Sequence, residues 1–239
     1  FLEDVFTFND FGVPLREPNH LPYIVTEFGG HTFPTKSFDG EERAGDHAVR
    51  HARVQDQQLG MAGVSGAIGW CAFDYNTHQE FGSGDHICYH GVMDIFRLPK
   101  YAAHFYASQI DPAQRVVLQA ASVWSMGDRS GGGVNPLVVF SNCDEIEVFI
   151  GDERLGGFQP DRETYPHLPH APYTIPVSNT QITWGRALAD LRLIGYVDGQ
   201  PVAEQQIAAD GLPHALVLEA DDAELVADGA DMTRVAFRI

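Results

Sequence analysis

One carboxylate near the start of the chain follows a run of residues that favour a β-strand. The run 23–26 reads Tyr-Ile-Val-Thr, Glu27 comes next, and Gly29 and Gly30 follow after one further residue. β-branched residues favour strands and paired glycines end them, so Glu27 is expected at the carboxyl end of a strand. In an α/β barrel the reacting groups collect at that end of the strands. Glu27 is therefore a candidate catalytic residue, although a lone carboxylate beside a loop is more often only solvated.

Three further side chains could bind a substrate. Trp70 closes an apolar segment, Asp74 follows in the next loop, and His31 lies four residues after Glu27. An indole ring can stack on the C–H face of a sugar, although packing between a strand and a helix is its more ordinary role. Asp74 can hydrogen-bond a hydroxyl group or stabilise a turn. A ring nitrogen of His31 can donate to a hydroxyl or change the pKa of Glu27.

His86, Cys88 and His90 alternate along the chain, which places three possible metal ligands on one face of a strand. Structural zinc sites usually need four ligands, and the sequence offers no CxxC pair to complete the set. We therefore predict no metal site, and no motif in the chain points to a cofactor.

The chain has 239 residues, of which 44 % are hydrophobic, and a formal net charge of −18. This length suffices for one large core or two small ones. Nucleic acids and anionic membranes attract clustered Lys and Arg, so the charge argues against both and favours a neutral substrate. A soluble acidic surface explains the charge equally well. The three widely spaced cysteines imply no disulfide framework, so we expect a reducing, cytoplasmic location, with secretion left open.

The first 108 residues have the pattern of alternating strands and helices. Strands are predicted at 5–8, up to Glu27 and at 67–73, and helices after Asp39 and at 101–109. Asp39 and Glu42 have capping-box spacing, and Gly60 is a good helix stop. This order suits parallel βα units. A (β/α)₈ barrel needs eight strands, so a preceding part of the protein is expected to complete the sheet.

After about residue 110 the pattern changes to short strands separated by turns. Strands are predicted at 115–120, 137–140, 145–150 and 191–197, with turns at 131–133, 151–152 and 198–199. Glu145 and Glu147 alternate with apolar residues, as in a half-buried antiparallel strand. The pattern indicates a β-sandwich over 110–212. The acidic stretch 213–239 ends in a further strand-like segment.

Four segments in this order resemble the rear part of a family 2 glycoside hydrolase of the bacterial β-galactosidase type. They span residues 27–36, 66–76, 87–94 and 139–149. The resemblance implies an α/β plus all-β fold in which 1–108 is the C-terminal part of a (β/α)₈ barrel. Residues 110–212 would form an immunoglobulin-like β-sandwich, and 213–239 would begin another β domain. Since the chain opens with Phe1 rather than Met, we expect it to be part of a longer protein.

The resemblance also implies roles for the candidate residues. Retaining glycoside hydrolysis needs two carboxyl groups about 5 Å apart. Glu27 matches the family's nucleophile, whereas the acid/base is the Glu of an Asn-Glu pair that this chain lacks. The chain alone is therefore expected to be inactive. Trp70 matches a tryptophan of the sugar site, and His31, Asp74 and His90 are further candidates for substrate binding.

The expected substrate is a terminal β-D-galactoside. β-Glucuronidases of the family carry an Asn-x-Lys arrangement that binds a carboxylate, and this chain has Cys88-Tyr-His90 in its place. Two alternatives stay open: another specificity within family 2, and a non-catalytic carbohydrate-binding or assembly module. The expected partners are the substrate, the N-terminal remainder of the enzyme and further copies in a homo-oligomer.

Overall fold

The computed structural model of the protein describes residues 4–77, 84–125, 135–177, 188–209 and 215–238. The chain divides into two compact units, Phe1–Ala209 and Asp210–Ile239. β-structure predominates, and within the described ranges neither helix is long and apolar enough to cross a membrane. The turn predicted at 131–133 lies outside the described residues.

Three parallel strands carry Glu27 and its neighbours. They are β1 (Phe6–Asn9), β2 (Tyr23–Gly29) and β3 (Val64–Trp70), in the spatial order β1-β2-β3. Val25 and Phe28 of β2 are buried in one core with Val54 from the following helix. The third strand ends three residues before the predicted segment 67–73 does. Beyond it, the backbone N–H of Cys71 donates to the carbonyl of His90 instead.

Two helices cover this part of the chain, α1 (Glu41–Gly60) and α2 (Tyr101–Ala107). Helix α1 ends at the predicted glycine, but the predicted capping box is wrong. Gly40 is the N-cap residue and makes no side-chain cap hydrogen bond. The Asp39 carboxylate instead accepts from the backbone N–H of Lys36 at 2.8 Å, within the preceding turn. Such local bonds compete with helix capping.

The other named strands in the described part of the first unit pair antiparallel. A short ladder pairs β4 (Tyr75–Asn76) with β5 (Ile87–Cys88). One sheet has the order β10-β7-β6 and contains β6 (Leu118–Ala120), β7 (Leu137–Ser141) and β10 (Tyr173–Ile175). The other has the order β12-β11-β8-β9 and contains β8 (Glu145–Ile150), β9 (Glu153–Phe158), β11 (Leu191–Val197) and β12 (Gln200–Ile207). Both sheets contribute to a single hydrophobic core, and we call residues 118–207 the two-sheet region.

A further core joins the helices to the two-sheet region. It includes residues of both helices, of β7 and of the segment between β9 and β10: Ala48, Ala52, Phe105, Phe140, Tyr165 and Leu168. Asp56 of α1 strengthens this junction, because its carboxylate accepts from the backbone N–H groups of His167 and Leu168 at 2.8 and 3.1 Å. Since both parts lie in one compact unit, the domain boundary proposed near 108–110 stays a prediction.

The second unit contains the antiparallel pair β13 (Val217–Ala220) and β14 (Val235–Arg238). The strand-like segment at the end of the chain is therefore a strand. Its assignment to a further β domain stays a prediction.

Candidate active site

Glu27 lies near the carboxyl end of β2, the central strand of the parallel sheet, and is half-buried. Asn9, its register partner on β1, donates from Nδ2 to Glu27 Oε2 at 3.1 Å. The hydroxyl of Thr26 donates to Asn9 Oδ1 at 2.9 Å, which turns the amide NH₂ of Asn9 toward the carboxylate. A neutral donor on the neighbouring strand therefore holds one oxygen of Glu27.

Trp70 is the last residue of β3 and is the register partner of Gly29. Its side chain is 42 % exposed, so the ring is not a core residue of the parallel sheet. The peptide bond after Trp70 is cis. Gly30 lies against the indole, and a methyl group placed on Gly30 would be 3.0 Å from Trp70 Cδ1. Trp70 therefore lies on the strand adjacent to the one that carries Glu27, near the same end of the sheet.

Trp70 is hydrogen-bonded to Tyr75, which in turn contacts His90. The indole Nε1 donates to the Tyr75 hydroxyl at 3.2 Å, and that hydroxyl lies 3.4 Å from Nδ1 of His90. Tyr75 is not among the residues singled out from the sequence, and its only signal there is its place in the loop after Trp70. His90 is 5 % exposed. Burial lowers the pKa of His90, and the nearby His31 and Lys100 lower it further.

His31 lies in the single 3₁₀ turn Gly30–Thr32 that follows β2, and it is exposed. Its ring packs edge-on against Phe11, with 4.7 Å between the ring centroids. The charge of His31 is close enough to His90 to contribute to the lowered pKa of His90. Whether His31 or His90 binds a substrate stays a prediction.

Asp74 forms a buried ion pair with Lys100. The Nζ–Oδ1 distance is 2.7 Å, and the two side chains are 1 % and 4 % exposed. The backbone N–H of Gly91 donates to the same oxygen at 2.8 Å, and Lys100 also donates to the carbonyl of Thr35 at 2.6 Å. Burial raises the pKa of Asp74 and lowers that of Lys100, and the ion pair opposes both shifts. These partners give Asp74 a structural role, and its predicted contact with a sugar stays untested.

His51 of α1 lies directly behind the ends of β2 and β3. A methyl group placed on Gly69 would be 3.4 Å from its Cε1, and one placed on Gly29 would be 3.8 Å away. Nδ1 of His51 lies 2.9 Å from the hydroxyl of Tyr106. Burial, with a smaller contribution from Lys100, lowers the pKa of His51 from 6.5 to about 4. The ring is therefore neutral at pH 7.

This neutral histidine is expected to make the protein less stable in acid. Between pH 6.5 and about 4 the unfolded chain binds a proton at His51 that the folded chain does not, so the free energy of unfolding falls as the pH falls. The full shift corresponds to about 3 kcal/mol. His51→Asn does not titrate, and its side chain can still hydrogen-bond Tyr106. Thermal unfolding of the full-length protein from about pH 7.5 down to 4.5 should show a smaller loss of stability for this variant than for the wild type.

The ring centroid of His47 lies 4.9 Å from that of His51. Burial lowers the pKa of His47 and His51 lowers it further, so the difference between the two pH profiles includes this coupling. Parallel pH profiles of the wild type and His51→Asn would contradict the expectation.

Among the described residues, no group of three or more His, Cys, Asp or Glu side chains could hold a metal ion. All three cysteines are free thiols.

The sequence of the chain is similar to those of known proteins. A sequence family described as a domain of unknown function (DUF4982) matches residues 132–203. A β-galactosidase of Thermoanaerobacterium thermosulfurigenes is 44 % identical over 256 residues, covering 100 % of this chain and 36 % of that protein. A β-galactosidase of Rhizobium meliloti is 39 % identical over 265 residues, covering 100 % of this chain and 35 % of that protein. The chain therefore spans about a third of the length of these curated relatives.

Solved structures resemble the fold. A β-glycosidase from Bacteroides vulgatus has a TM-score of 0.60 at 21 % identity, over 79 % of this chain and 22 % of that chain. A β-glucuronidase from glycoside hydrolase family 2 has a TM-score of 0.58 at 20 % identity, over 91 % of this chain and 23 % of that chain. The chain is thus similar over its whole length to part of these β-galactosidases, and its fold is similar to that of the two solved glycosidases.

Proposed function

We propose that the whole protein hydrolyses terminal, non-reducing β-D-galactosides with retention of configuration, and that Glu27 is its nucleophile. The observation that carries the proposal is the position of Glu27 at the end of the central parallel strand, beside the exposed Trp70 on the next strand. Relatives that share 39–44 % of their residues with this chain are named β-galactosidases, which supports the substrate class.

In the first step, an oxygen of Glu27 attacks the anomeric carbon while the glycosidic C–O bond breaks. The second carboxyl group, which we assign to the remainder of the protein, protonates the leaving oxygen. It then takes a proton from water, which attacks the anomeric carbon and releases Glu27 as a carboxylate. Because Asn9 donates to Oε2, we assign the attack to Oε1. The amide of Asn9 keeps the carboxylate from rotating away from the sugar.

The exposed indole of Trp70 supplies a flat apolar surface on which the C–H face of a galactose ring can stack. His31 in the turn after β2 and His90 beside Tyr75 can hydrogen-bond neutral hydroxyl groups. No lysine stands at the position where the family's glucuronidases bind a carboxylate, because the sequence there is Cys88-Tyr-His90. A neutral galactoside is therefore the preferred substrate.

The proposal includes the finer architecture. The three parallel strands are the sixth to eighth strands of a (β/α)₈ barrel whose other strands come from the rest of the protein. The two-sheet region is an immunoglobulin-like sandwich. The partners are the galactoside, the N-terminal remainder and further copies of the protein, and the location is cytoplasmic.

A covalent trap tests the function and the nucleophile together. A 2-deoxy-2-fluoro-β-galactosyl fluoride reacts in the first step, and its C2 fluorine slows the second, so the glycosyl-enzyme accumulates. Mass spectrometry of peptides from the full-length protein should locate the label on Glu27. The matching fluorinated glucuronyl fluoride is the control and should leave the protein unlabelled. A label on another residue would refute the nucleophile, and labelling by the glucuronyl compound alone would refute the substrate class.

A further inference from the structure

Polar contacts link the exposed Trp70 to Tyr75 and Tyr75 to His90. Trp70 Nε1 lies 3.2 Å from the Tyr75 hydroxyl, and that hydroxyl lies 3.4 Å from His90 Nδ1. The three rings meet nearly edge to face, at interplanar angles of 81° for Trp70 and Tyr75 and 80° for Tyr75 and His90. The tyrosine is therefore the only one of the three that contacts both of the others through its polar group.

The chemistry of the groups sets the direction of these contacts. An indole nitrogen can only donate, so the Tyr75 oxygen accepts from Trp70. The Tyr75 hydroxyl proton can then be donated to Nδ1 of His90, which in neutral imidazole can be the accepting nitrogen, and the thiol of Cys88 is a second possible acceptor. The hydroxyl of Tyr75 thus satisfies the indole and also contacts the buried histidine.

The backbone holds Tyr75 and His90 in place. Tyr75 is the register partner of Cys88 in the β4–β5 ladder. Gly91, next to His90, donates its N–H to the Asp74 carboxylate, which is next to Tyr75. Gly91 also lies so close to the opposite segment that a methyl group on it would be 2.2 Å from the carbonyl carbon of Phe73. The backbone that carries Tyr75 and His90 is therefore held at both positions.

The opposite side of the indole is also confined. A methyl group on Gly30 would lie 3.0 Å from Trp70 Cδ1 and 3.4 Å from its Cβ and Cγ. Gly30 follows directly on β2, the strand that carries Glu27. The Trp70 ring is thus located between the backbone at the end of the Glu27 strand and the hydroxyl of Tyr75. Rotating the ring about its side-chain bonds would break the hydrogen bond that its Nε1 donates to Tyr75.

We infer that Tyr75 is a positioning residue: its hydroxyl fixes the plane of the Trp70 indole so that the ring can stack on the sugar at Glu27. This inference rests on the proposed function for its substrate, because the stacked sugar is the galactoside. It assigns Tyr75 no contact with the substrate itself. The effect of Tyr75 on turnover passes through Trp70, and a double-mutant cycle isolates such a dependence.

The first test measures kcat/KM for an aryl β-galactoside in the full-length enzyme, using the Y75F, W70F and Y75F/W70F variants. Loss of a hydrogen bond that orients a contacting ring should make Y75F lower kcat/KM about fivefold in the wild-type background. In the W70F background, which has no indole N–H, adding Y75F should change kcat/KM by less than about twofold. Y196F removes a hydroxyl from the two-sheet region and should leave activity unchanged. Equal effects of Y75F in both backgrounds would overturn the inference.

The second test does not depend on turnover. The protein is labelled with 5-fluorotryptophan, and the Trp70 signal in the ¹⁹F NMR spectrum is identified by its loss in W70F. Y75F should shift or broaden that signal and leave the other tryptophan signals in place. An unchanged Trp70 signal would overturn the positioning role. If the protein proves to lack galactosidase activity but the signal still moves, the proposed substrate fails while the orientation of Trp70 by Tyr75 stands.

Discussion

Replacing Glu27 with glutamine in the full-length protein is expected to lower kcat for an aryl β-galactoside by about 10⁴-fold or more. Glutamine keeps the size of the side chain and can still accept from Asn9, but its amide is too weak a nucleophile to displace the aglycone. The fold should be unaffected, because Glu27 is half-buried on the strand and Asn9, which donates to it, is neutral. Steady-state kinetics and a thermal unfolding scan of the same preparation measure both effects.

Two controls make this result specific. Glu153 is an exposed glutamate on β9, so Glu153→Gln changes the charge equally and should leave kcat within about twofold. Glu27→Gly with added azide should regain turnover and give the α-galactosyl azide, because azide enters from the face that the carboxylate leaves empty. A β-azide product would show that Glu27 is the acid/base rather than the nucleophile. Near-normal activity of Glu27→Gln would remove the residue from the mechanism altogether.

Lys100→Met is expected to cause the largest loss of stability. The methionine has a similar length but carries no charge, so Asp74 would remain buried without its counter-ion. Removing one partner of a buried pair costs about 3–5 kcal/mol, which corresponds to a fall in the unfolding temperature on the order of 10 °C. Differential scanning calorimetry of the full-length protein measures the shift.

The pH dependence of this loss follows from the carboxylate. In Lys100→Met the folded protein favours protonated Asp74, because burial already raises the pKa of Asp74 and the opposing ammonium is gone. The folded state then binds a proton more tightly than the unfolded state, so the deficit should grow as the pH rises from about 5 to 7.

A matched surface pair provides the comparison for Lys100→Met. Arg154 and Glu147 are 2.7 Å apart, but Arg154 is 53 % exposed, so Arg154→Met should cost less than about 1 kcal/mol. Similar losses for the two variants would contradict the role given to the buried pair.

Local patterns predicted several of the strands because the residues that decide them are adjacent in sequence. Strand Tyr23–Gly29 needs only its β-branched run and the glycine at its end, and Glu145–Ile150 needs only its alternation. The start of α1 could not be predicted in this way. Asp39 and Glu42 have the spacing of a capping box, but the Asp39 carboxylate accepts a hydrogen bond from the backbone N–H of Lys36, three residues earlier in the chain. Two local bonds were possible, and the sequence does not rank them.

The surroundings of the site could not be predicted because they depend on contacts between distant residues. Lys100 is 26 residues from Asp74, and no local sequence pattern in either segment predicts that they form an ion pair. Tyr75 contacts His90, 15 residues further along the chain, because β4 pairs with β5. By contrast, Glu27 and Trp70 lie near the same end of two adjacent strands because β2 and β3 are parallel; their shared role in a site stays a prediction.

The junction formed by Asp56 bears on how such enzymes can be recombined. Helix α1 rests on the Glu27 strand through Val54 and on the loop before β10 through Asp56. A chimera that takes its two-sheet region from another relative would inherit a foreign loop opposite that carboxylate. Residues 41–60 and 159–172 therefore have to be exchanged as one cassette, and libraries that shuffle them separately should be enriched in insoluble clones.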